Sequence, residues 1–437
     1  MPLEEPVSDP PSEVRLLTIE KVVDGAYGLA RDSDGVVLVP GTLPGEEVEI
    51  VPDSKVQGVR VGRATRIRSA HPDRIPPVCP LFLACGGCDF LHVSYERELG
   101  LKQDILAETL LRIGQLRPTL LDPVPSPTPE QYRAYIQLKI DPKGRIGLYR
   151  RDSHTIVPFD GESFPGCRLQ PDDFNGAVAR LQGKLAGYKV IKLRKGAQGW
   201  VVNLTSDQSP APAEGLIRQI HDLGATGFLV NDRLVFGSPE VLYIYGEAPG
   251  PIYRFTVSPD SFFQADPAAV DRLSRRMADT IDRERGPARL NENLLDLYAG
   301  VGTFGIRLAS KMMGVFCVES SAGAVRDLEK NMADNRTTNL IAYRSTARAF
   351  LKRFRSAVGT VIVDPPRSGL EPDARQALIT LKVPLVLYLS CHPATLARDL
   401  AALTAGGYKI DSVQLFDQFG RTHHIETLTV LRFDILH

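Results

Sequence analysis

The sequence predicts a multidomain α/β protein with three parts. These are a small β-barrel over residues 13–70, a central α/β domain over residues 71–255 and a Rossmann-like, doubly wound α/β domain over residues 256–437. Three observations support this division. Short β-type segments separated by glycine turns fill the first part, cysteines cluster early in the second, and strands alternate with helices in the third. A chain of 437 residues is long enough for about two to four domains.

The composition, 43% hydrophobic and 24% charged, is that of a soluble globular protein. Lys+Arg and Asp+Glu both number 52, so any nucleic-acid partner must be recognised by local basic patches rather than by net charge. The N-terminus is acidic and proline-rich, unlike a signal peptide, and residues 1 to about 12 are predicted to be disordered. No apolar run is long enough to span a membrane. We expect a cytoplasmic monomer with no membrane partner.

In the first part, β-type segments at 16–19, 36–39 and 47–51 are followed by a basic one at 60–67. Their number and spacing predict the small barrel. The last segment and its end carry four arginines, Arg60, Arg63, Arg66 and Arg68. A basic strand on a barrel suits an RNA phosphate backbone, but it is equally typical of an edge strand that charge protects from aggregation.

Three cysteines, Cys79, Cys85 and Cys88, lie within ten residues, with two glycines between the last pair. Such a tight loop can wrap a metal centre, because the glycines let backbone amides face the sulfurs. Cys167, flanked by turn residues, is the best candidate for a fourth ligand. Zinc and a [4Fe-4S] cluster both fit four cysteines, and the presence of a single CxxC pair favours the cluster.

Between the cysteine loop and the last part, residues 94–111 have helical periodicity, and residues 118–129 contain five prolines, which predicts a linker. Residues 132–242 mix strands and short helices, without a catalytic signature.

The last part begins with a predicted helix over 267–283 and a strand over 294–298. Further strands are predicted at 315–319, 360–363, 386–389, 412–416 and 427–433, with helices between most of them. This alternation predicts a doubly wound parallel sheet, whose ligands bind beyond the carboxyl ends of the strands.

Gly300, Gly302 and Gly305 form a GxGxxG pattern after the first of these strands, and Glu319 ends the next one. Glycines allow close backbone approach to a nucleoside cofactor, and the acid can bind its ribose hydroxyls. The pattern alone fits either NAD or S-adenosylmethionine.

Two further strand ends carry reactive groups. Asp364 begins an Asp-Pro-Pro-Arg turn whose prolines make it rigid; the turn resembles that of methyltransferases acting on planar nitrogen bases, with a plain capping turn as the alternative. Cys391 follows a buried strand, and Pro393 then starts a helix whose N-terminal dipole should favour the thiolate. The alternative is a buried structural cysteine. Cys317 lies within a strand and is predicted to be a core residue.

Together, FFQ at 262–264, DLYAGVGTFG, DPPR, SCHPATLARDL and HHIETLTVL resemble the RNA uracil-5-methyltransferase family. DGAYGLAR and VLVPGTLPGEEVEI near the N-terminus resemble a TRAM domain, an OB-like RNA-binding module. The resemblance covers nearly the whole chain and implies a class I methyltransferase domain at the C-terminus.

The resemblance also implies cofactors and roles. S-adenosylmethionine would be the methyl donor, and Cys79, Cys85, Cys88 and Cys167 would hold a [4Fe-4S] cluster. Cys391 would be the nucleophile and Glu426 the base, although a surface carboxylate is the simpler interpretation of Glu426 from its position alone. Cofactor contacts would come from Gln264, Tyr298, Glu319 and Asp364, beside Gly300 and Gly302.

Asp364 or Gln264 could instead hold the uracil. The implied product is 5-methyluridine in RNA, with 23S rRNA favoured over tRNA. A different class, an RNA-binding iron-sulfur protein without methyltransferase activity, remains an alternative.

Overall fold

The computed structural model describes residues 14–56, 58–161, 164–208, 211–246 and 249–434. The chain forms two compact units. One contains the chain up to Ile105 with Tyr149–Val157 and Arg421–His423, and the other contains Leu106–Leu148, Pro158–Gly420 and the chain from His424 onward. The predicted disordered tail at residues 1 to about 12 lies outside the described residues, and the predicted domain boundaries stay predictions.

Six strands form the N-terminal sheet: β1 (Arg15–Thr18), β2 (Lys21–Val23), β3 (Tyr27–Asp32), β4 (Gly35–Pro40), β5 (Glu47–Val56) and β6 (Val59–Ser69). They lie in the order β1-β5-β6-β4-β3-β2. The four segments expected to be strands are confirmed as β1, β4, β5 and β6. Alternate side chains such as Val37, Val39, Val48 and Ile50 form the core of this sheet. Closure into a TRAM-type barrel stays a prediction.

The arginines of β6 divide into two pairs. β6 contacts β4 only near its start, so the stretch that carries the later arginines is bonded to β5 alone. Arg63 and Arg66 are exposed and form no ion pair with any residue of the described chain. The other two are neutralised locally, Arg60 by Asp32 and Arg68 by Glu49.

Helix α1 (Tyr95–Gly114) is followed by strand β7 (Leu120–Val124). The prediction that residues 118–129 are only a linker is therefore wrong for β7, which pairs in parallel with a later strand at the edge of the C-terminal sheet. An edge position explains how Pro123 can be accommodated, since an edge strand leaves some N–H positions unpaired.

The central sheet has seven strands in the order β10-β9-β8-β11-β12-β13-β14. Their bounds are β8 (Tyr135–Ile140), β9 (Ile146–Tyr149), β10 (Ile156–Pro158), β11 (Val190–Gly196), β12 (Gly199–Thr205), β13 (Gly227–Val230) and β14 (Arg233–Gly237). Helices α2 (Asp172–Leu181) and α3 (Glu214–Asp222) lie between these strands in sequence. A hairpin of β15 (Val241–Tyr245) and β16 (Tyr253–Val257) follows.

The C-terminal sheet is built from β17 (Asn293–Leu297), β18 (Gly314–Glu319), β19 (Leu340–Arg344), β20 (Thr360–Val363), β21 (Leu385–Ser390), β22 (Lys409–Phe416) and β23 (Glu426–Arg432). With β7, the order is β19-β18-β17-β20-β21-β23-β22-β7. Its helices are α4 (Pro267–Arg285), α5 (Thr303–Leu308), α6 (Ala322–Asp334), α7 (Ala347–Arg353), α8 (Pro372–Leu381) and α9 (Pro393–Ala405).

The prediction of a fully parallel sheet is corrected at one end. Strands β17 to β21 of this sheet are parallel to one another, but β23 is antiparallel to both β21 and β22. A parallel neighbour needs a crossover of a dozen or more residues, usually a helix. The connection from Phe416 to Glu426 is shorter and has no helix, so the chain returns as a hairpin.

The core of the C-terminal part lies on the sheet, with Leu294, Val315, Ile362 and Leu387 among its buried strand residues. Cys317 is fully buried there, which confirms its predicted core position. No helix within the described ranges is long and apolar enough to cross a membrane. The cytoplasmic location stays a prediction.

Candidate active site

A cavity of about 640 Å³ opens beyond the carboxyl ends of β17, β18, β20 and β21. Its lining includes most of the side chains singled out from the sequence for catalysis and cofactor binding: Gln264, Tyr298, Gly300, Glu319, Asp364, Cys391 and Glu426. Gly302 is not among the lining residues. The parallel strands bring these scattered positions together because their carboxyl ends share one edge of the sheet.

Cys391 and Glu426 are brought together by strand pairing. At the cavity end of the antiparallel pair β21–β23, the last two residues that lie opposite each other are Ser390 and Thr427. Thr427 Oγ1 also donates a hydrogen bond to the Ser390 carbonyl, at 3.2 Å. Cys391 and Glu426 are the next residues on the two strands, and both side chains line the cavity. Glu426 is only 4% exposed, so it is not a surface carboxylate.

The thiol of Cys391 is held in its protonated form. Burial raises its pKa from the ordinary 9.0 to about 12, and Glu426 and Asp364 act in the same direction. Arg367 lowers the pKa, but not enough to compensate. As expected, Pro393 begins α9, and the structure adds that His392 caps it. The expectation that the helix dipole would favour the thiolate is nevertheless wrong, because desolvation and two neighbouring acids outweigh a partial charge.

The carboxyl groups of Asp364 and Glu426 also hold their protons more tightly than in water. Burial raises the pKa of Asp364 to about 7. The pKa of Glu426 lies well above its usual range, first because the side chain is buried and second because Asp364 is near. Glu426 Oε1 has no hydrogen-bond partner in the described structure. A buried carboxyl without such a partner is a strong proton acceptor once it is ionised.

The glycine loop has two functions that the sequence pattern did not separate. Gly300 has a φ of 56°, and a Cβ there would meet nothing within 4 Å, so its surface faces the cavity. Gly302, at φ 86°, packs instead inside the fold, where a Cβ would lie 2.2 Å from Leu328 Cδ1. Gly300 therefore leaves room for a ligand, whereas Gly302 allows α5 to pack.

Glu319 supports this loop. Its Oε2 accepts a hydrogen bond from Gly300 N at 3.0 Å, and its Oε1 accepts from Ser320 N and Ser321 N at 2.6 and 2.7 Å. Each carboxylate oxygen can accept more than one hydrogen bond, so these contacts leave capacity for ligand hydroxyls.

Gln264 and Tyr298 complete the predicted set. Gln264 Nε2 lies 3.5 Å from Asp364 Oδ2, at the limit of a hydrogen bond. Tyr298 has a φ of 64°, an uncommon conformation for a residue with a side chain. Burial raises the pKa of its hydroxyl to about 12, so the group remains a neutral donor.

Asp399, which the sequence did not suggest as functional, fixes the segment after the Asp-Pro-Pro-Arg turn. Its side chain is fully buried on α9 and accepts hydrogen bonds from Leu370 N and Tyr388 Oη, both at 2.7 Å. Arg375 Nη1 donates to the other oxygen at 2.5 Å. These bonds connect the segment after Arg367 to β21 and α9, the elements on either side of Cys391.

Other lining residues were also missed. Phe262 is 72% exposed and presents an aromatic face to the cavity, and Arg367 and Phe419 line it as well. Below the glycine loop, buried Asp296 accepts a hydrogen bond from Gly305 N at 3.0 Å. Exposure of a large aromatic side chain cannot be predicted from residue type, and Asp296 looked like an ordinary strand residue.

The predicted metal ligands are divided between the two compact units of the chain. Cys79, Cys85 and Cys88 lie on a loop of successive turns in the first unit, and Cys167 is buried in the second. Among the residues whose positions are described, no group of three or more His, Cys, Asp or Glu side chains is placed to hold a metal ion. The structure therefore does not support the metal site, which stays a prediction from sequence.

Alkylation of Cys391 by iodoacetamide should report its raised pKa. In the folded, ligand-free protein the rate should rise about tenfold per pH unit from pH 7 to 10 without levelling, because only the thiolate reacts. Mass spectrometry of the peptide that contains Cys391 measures this rate. The same peptide in urea-unfolded protein is the control and should level off near the ordinary value of 9.0. A plateau at or below 9.0 in the folded protein would contradict the assignment.

Known proteins similar to this chain are RNA methyltransferases. The model of a family described as tRNA (uracil-5-)-methyltransferase matches residues 252–433. An uncharacterized RNA methyltransferase of Thermotoga maritima is 31% identical over 443 residues, covering 94% of this chain and 98% of the relative. One from Aquifex aeolicus is 30% identical over 438 residues, covering 95% and 97%.

A solved structure, the Pyrococcus abyssi tRNA (uracil-54, C5)-methyltransferase in complex with S-adenosyl-L-homocysteine, has a similar fold. Its TM-score is 0.70 at 24% identity, with 95% of this chain and 99% of that chain covered. Family model, relatives and fold agree with the site geometry: the chain belongs to the RNA uracil-5-methyltransferase family.

Proposed function

We propose that the protein methylates C5 of a uridine in RNA, with Cys391 as nucleophile and Glu426 as base. One observation supports this most strongly. Cys391 and Glu426 continue two paired strands at the point where those strands open into one cavity. A thiol and a buried carboxyl that face the same cavity suit a reaction in which one group adds to a ring and another removes a proton from that ring.

The cavity also fits S-adenosylmethionine as methyl donor. Gly300 leaves space beside the loop, Glu319 has acceptor capacity for ribose hydroxyls, and Phe262 offers an aromatic face. The bound cofactor would supply an electrophilic methyl carbon. Gln264, Tyr298 and Asp364 would orient the two reactants in the same cavity.

Cys391 activates the uracil. Its sulfur bonds to C6, and the electron pair of the C5–C6 double bond moves to C5 and O4, which makes C5 nucleophilic. The thiol must first lose its proton, and Asp364 is the acceptor we assign. With a pKa of about 7, Asp364 is ionised in about half of the molecules near neutral pH, and the ionised form is the proton acceptor; Asp364 also acts electrostatically on Cys391.

Glu426 completes the cycle. After C5 has gained a methyl group it still carries its original proton, and the carbon–sulfur bond cannot break until that proton leaves. The Glu426 carboxylate takes the proton, the C5–C6 double bond re-forms, and Cys391 departs as a thiolate. The raised pKa makes Glu426 a stronger base, but it must be ionised at that moment.

The RNA substrate we favour is 23S rRNA, as the motif resemblance implies. The family model and the Pyrococcus abyssi structure carry the names of tRNA enzymes, which favours tRNA as a second candidate. In either RNA, a stacked uridine must be turned out of its helix to reach Cys391. The exposed Arg63 and Arg66 on β6 would contact the phosphate backbone.

The cysteine set would hold a [4Fe-4S] cluster that orders the loop from Cys79 to Cys88. This part of the proposal rests on spacing and on the turn-rich loop, in which Gly86 lies so close to Tyr149 and Arg151 that a Cβ would be 3.0 Å from the Tyr149 carbonyl.

Iron analysis tests the cluster. Anaerobically purified protein should contain about four irons per chain. Replacing Cys85 or Cys167 by serine should abolish the iron equally, while Cys391→Ala should keep it because Cys391 lies in the methyltransferase cavity. One equivalent of zinc without iron would show that the alternative metal is correct.

Trapping of the covalent protein–RNA adduct distinguishes the role of Cys391 from that of Glu426. Glu426→Gln allows sulfur attack and methylation but removes the proton acceptor, so the methylated RNA should remain bonded to Cys391. Mixed with RNA and S-adenosylmethionine, this variant should give a protein–RNA species that survives a denaturing gel. Turnover should fall at least about 100-fold.

Two further variants control the experiment. The double variant Cys391→Ala/Glu426→Gln should trap no RNA, and Glu329→Gln, an exposed glutamate on α6, should turn over normally. Methylation by Cys391→Ala would disprove the mechanism, and normal turnover by Glu426→Gln would assign the base to another group.

A further inference from the structure

A second cavity, of about 700 Å³, lies at the free edge of the C-terminal sheet. It shares no lining residue with the first cavity. β18, β19, α7 and the segment after α7 form its wall, through Phe316, Tyr343, Ser345, Ala349, Phe350, Lys352, Arg353, Phe354, Arg355 and Ser356. We call these ten residues the edge pocket.

Four aromatic rings form one side of the edge pocket. Their successive ring centroids are 4.9 Å apart for Tyr343 and Phe350, 5.0 Å for Phe350 and Phe354, and 5.5 Å for Phe354 and Phe316. Phe354 is buried and holds the set in place, whereas Tyr343 is 36% exposed. A partly exposed ring supported by other rings is a surface on which a planar group can stack.

The other side of the edge pocket is cationic. Lys352, Arg353 and Arg355 line it, and Arg344 adjoins Tyr343 in β19. Within the described parts of the chain, Arg344, Arg353 and Arg355 form no ion pair, and Lys352 shares the carboxylate of Asp373 with Arg348.

This excess of positive charge is local, because the chain as a whole has a net charge of zero. Basic side chains beside an open aromatic face have the chemistry that recognises single-stranded nucleic acid.

We propose that the edge pocket binds an unpaired nucleotide of the RNA substrate. The base stacks on Tyr343, and the flanking phosphates contact Arg353 and Arg355. This inference rests on the proposed function, which supplies RNA as the partner. Charge and ring geometry favour RNA over a protein segment, because both faces of the pocket are complementary to a nucleotide.

The position of the edge pocket fits a role in substrate alignment. Three strands lie between β19 and β21 in the order β19-β18-β17-β20-β21, so the two strands are four strand steps apart. At roughly 4.8 Å per strand step, the edge pocket and the end of β21 are about 20 Å apart across the sheet. A single RNA molecule can reach both, so a nucleotide held at the edge would limit which uridine reaches Cys391.

Binding of a fluorescein-labelled oligocytidylate of about twelve nucleotides tests the proposal, since it lacks a uridine for the active site. Tyr343→Ala should weaken binding by at least about fivefold, and Tyr343→Phe should bind like wild type because the ring is kept. Arg353→Ala/Arg355→Ala should reduce the slope of log K against log salt by about 1.4, the value for two single-strand phosphate contacts.

Arg218→Ala is the matched control, because Arg218 is an exposed arginine on α3 outside the edge pocket. It should leave both the affinity and the salt slope unchanged, and thermal melting should confirm that every variant is folded. Wild-type affinity in Tyr343→Ala would overturn the proposal and favour a protein segment as the ligand of this surface.

Methylation of cellular RNA by the wild-type protein is measured in parallel. This measurement distinguishes a failure of the proposed methyltransferase function from a failure of nucleotide binding at the edge pocket. Loss of that activity with normal oligocytidylate binding through Tyr343 would count against the proposed function alone.

Discussion

Desolvation of three acidic groups in one cavity is the constraint on which the site depends. Cys391, Asp364 and Glu426 all face a space that the sheet and its loops shield from water, and burial raises the pKa of each. Ionising one group makes ionisation of its neighbours harder, so the resting site is close to neutral. A thiol kept protonated in this way is protected from non-specific oxidation, because the thiolate is the reactive form. It reacts only when a proton acceptor and an electrophilic ring are both present.

The fold maintains this arrangement without relying on a single loop. Cys391 and Glu426 are fixed by the β21–β23 pairing, and Asp364 follows the adjacent strand β20. Asp399 then connects Tyr388 of β21 to the backbone of Leu370. Because each catalytic group lies at one end of a paired strand, small movements of the surrounding loops should change substrate access more than they change the distances among the three acids.

Much of this could be predicted from sequence, because parallel strands leave clear signals. Apolar runs that end in Glu319, Asp364 and Cys391 were enough to place those side chains at one edge of the sheet. The antiparallel return of β23 was missed because alternation of strands and helices says nothing about the last connection. β7 was missed because the proline-rich segment that contains it, residues 118–129, resembles a linker, and only pairing with β22 makes it a strand.

The pKa of Cys391 was harder to predict from the sequence than its position at the end of β21. The helix dipole at α9 is visible in the sequence, whereas the burial of Cys391 and the nearness of Glu426 appear only after folding, and these decide its pKa. The edge pocket was missed for a similar reason. Its rings and arginines come from β18, β19, α7 and the following segment, and in a chain with equal numbers of acidic and basic residues no composition argument would have indicated a local excess of charge.

The proposed product is 5-methyluridine in RNA, and nucleoside analysis detects this product itself. RNA from cells that lack the protein is incubated with the purified protein and S-adenosylmethionine carrying an isotopically labelled methyl group, then digested and separated by liquid chromatography with mass spectrometry. The proposed function predicts label in 5-methyluridine only, and none with Cys391→Ala. Label in a methylated purine or in a ribose methyl group, or equal label with Cys391→Ala, would contradict it.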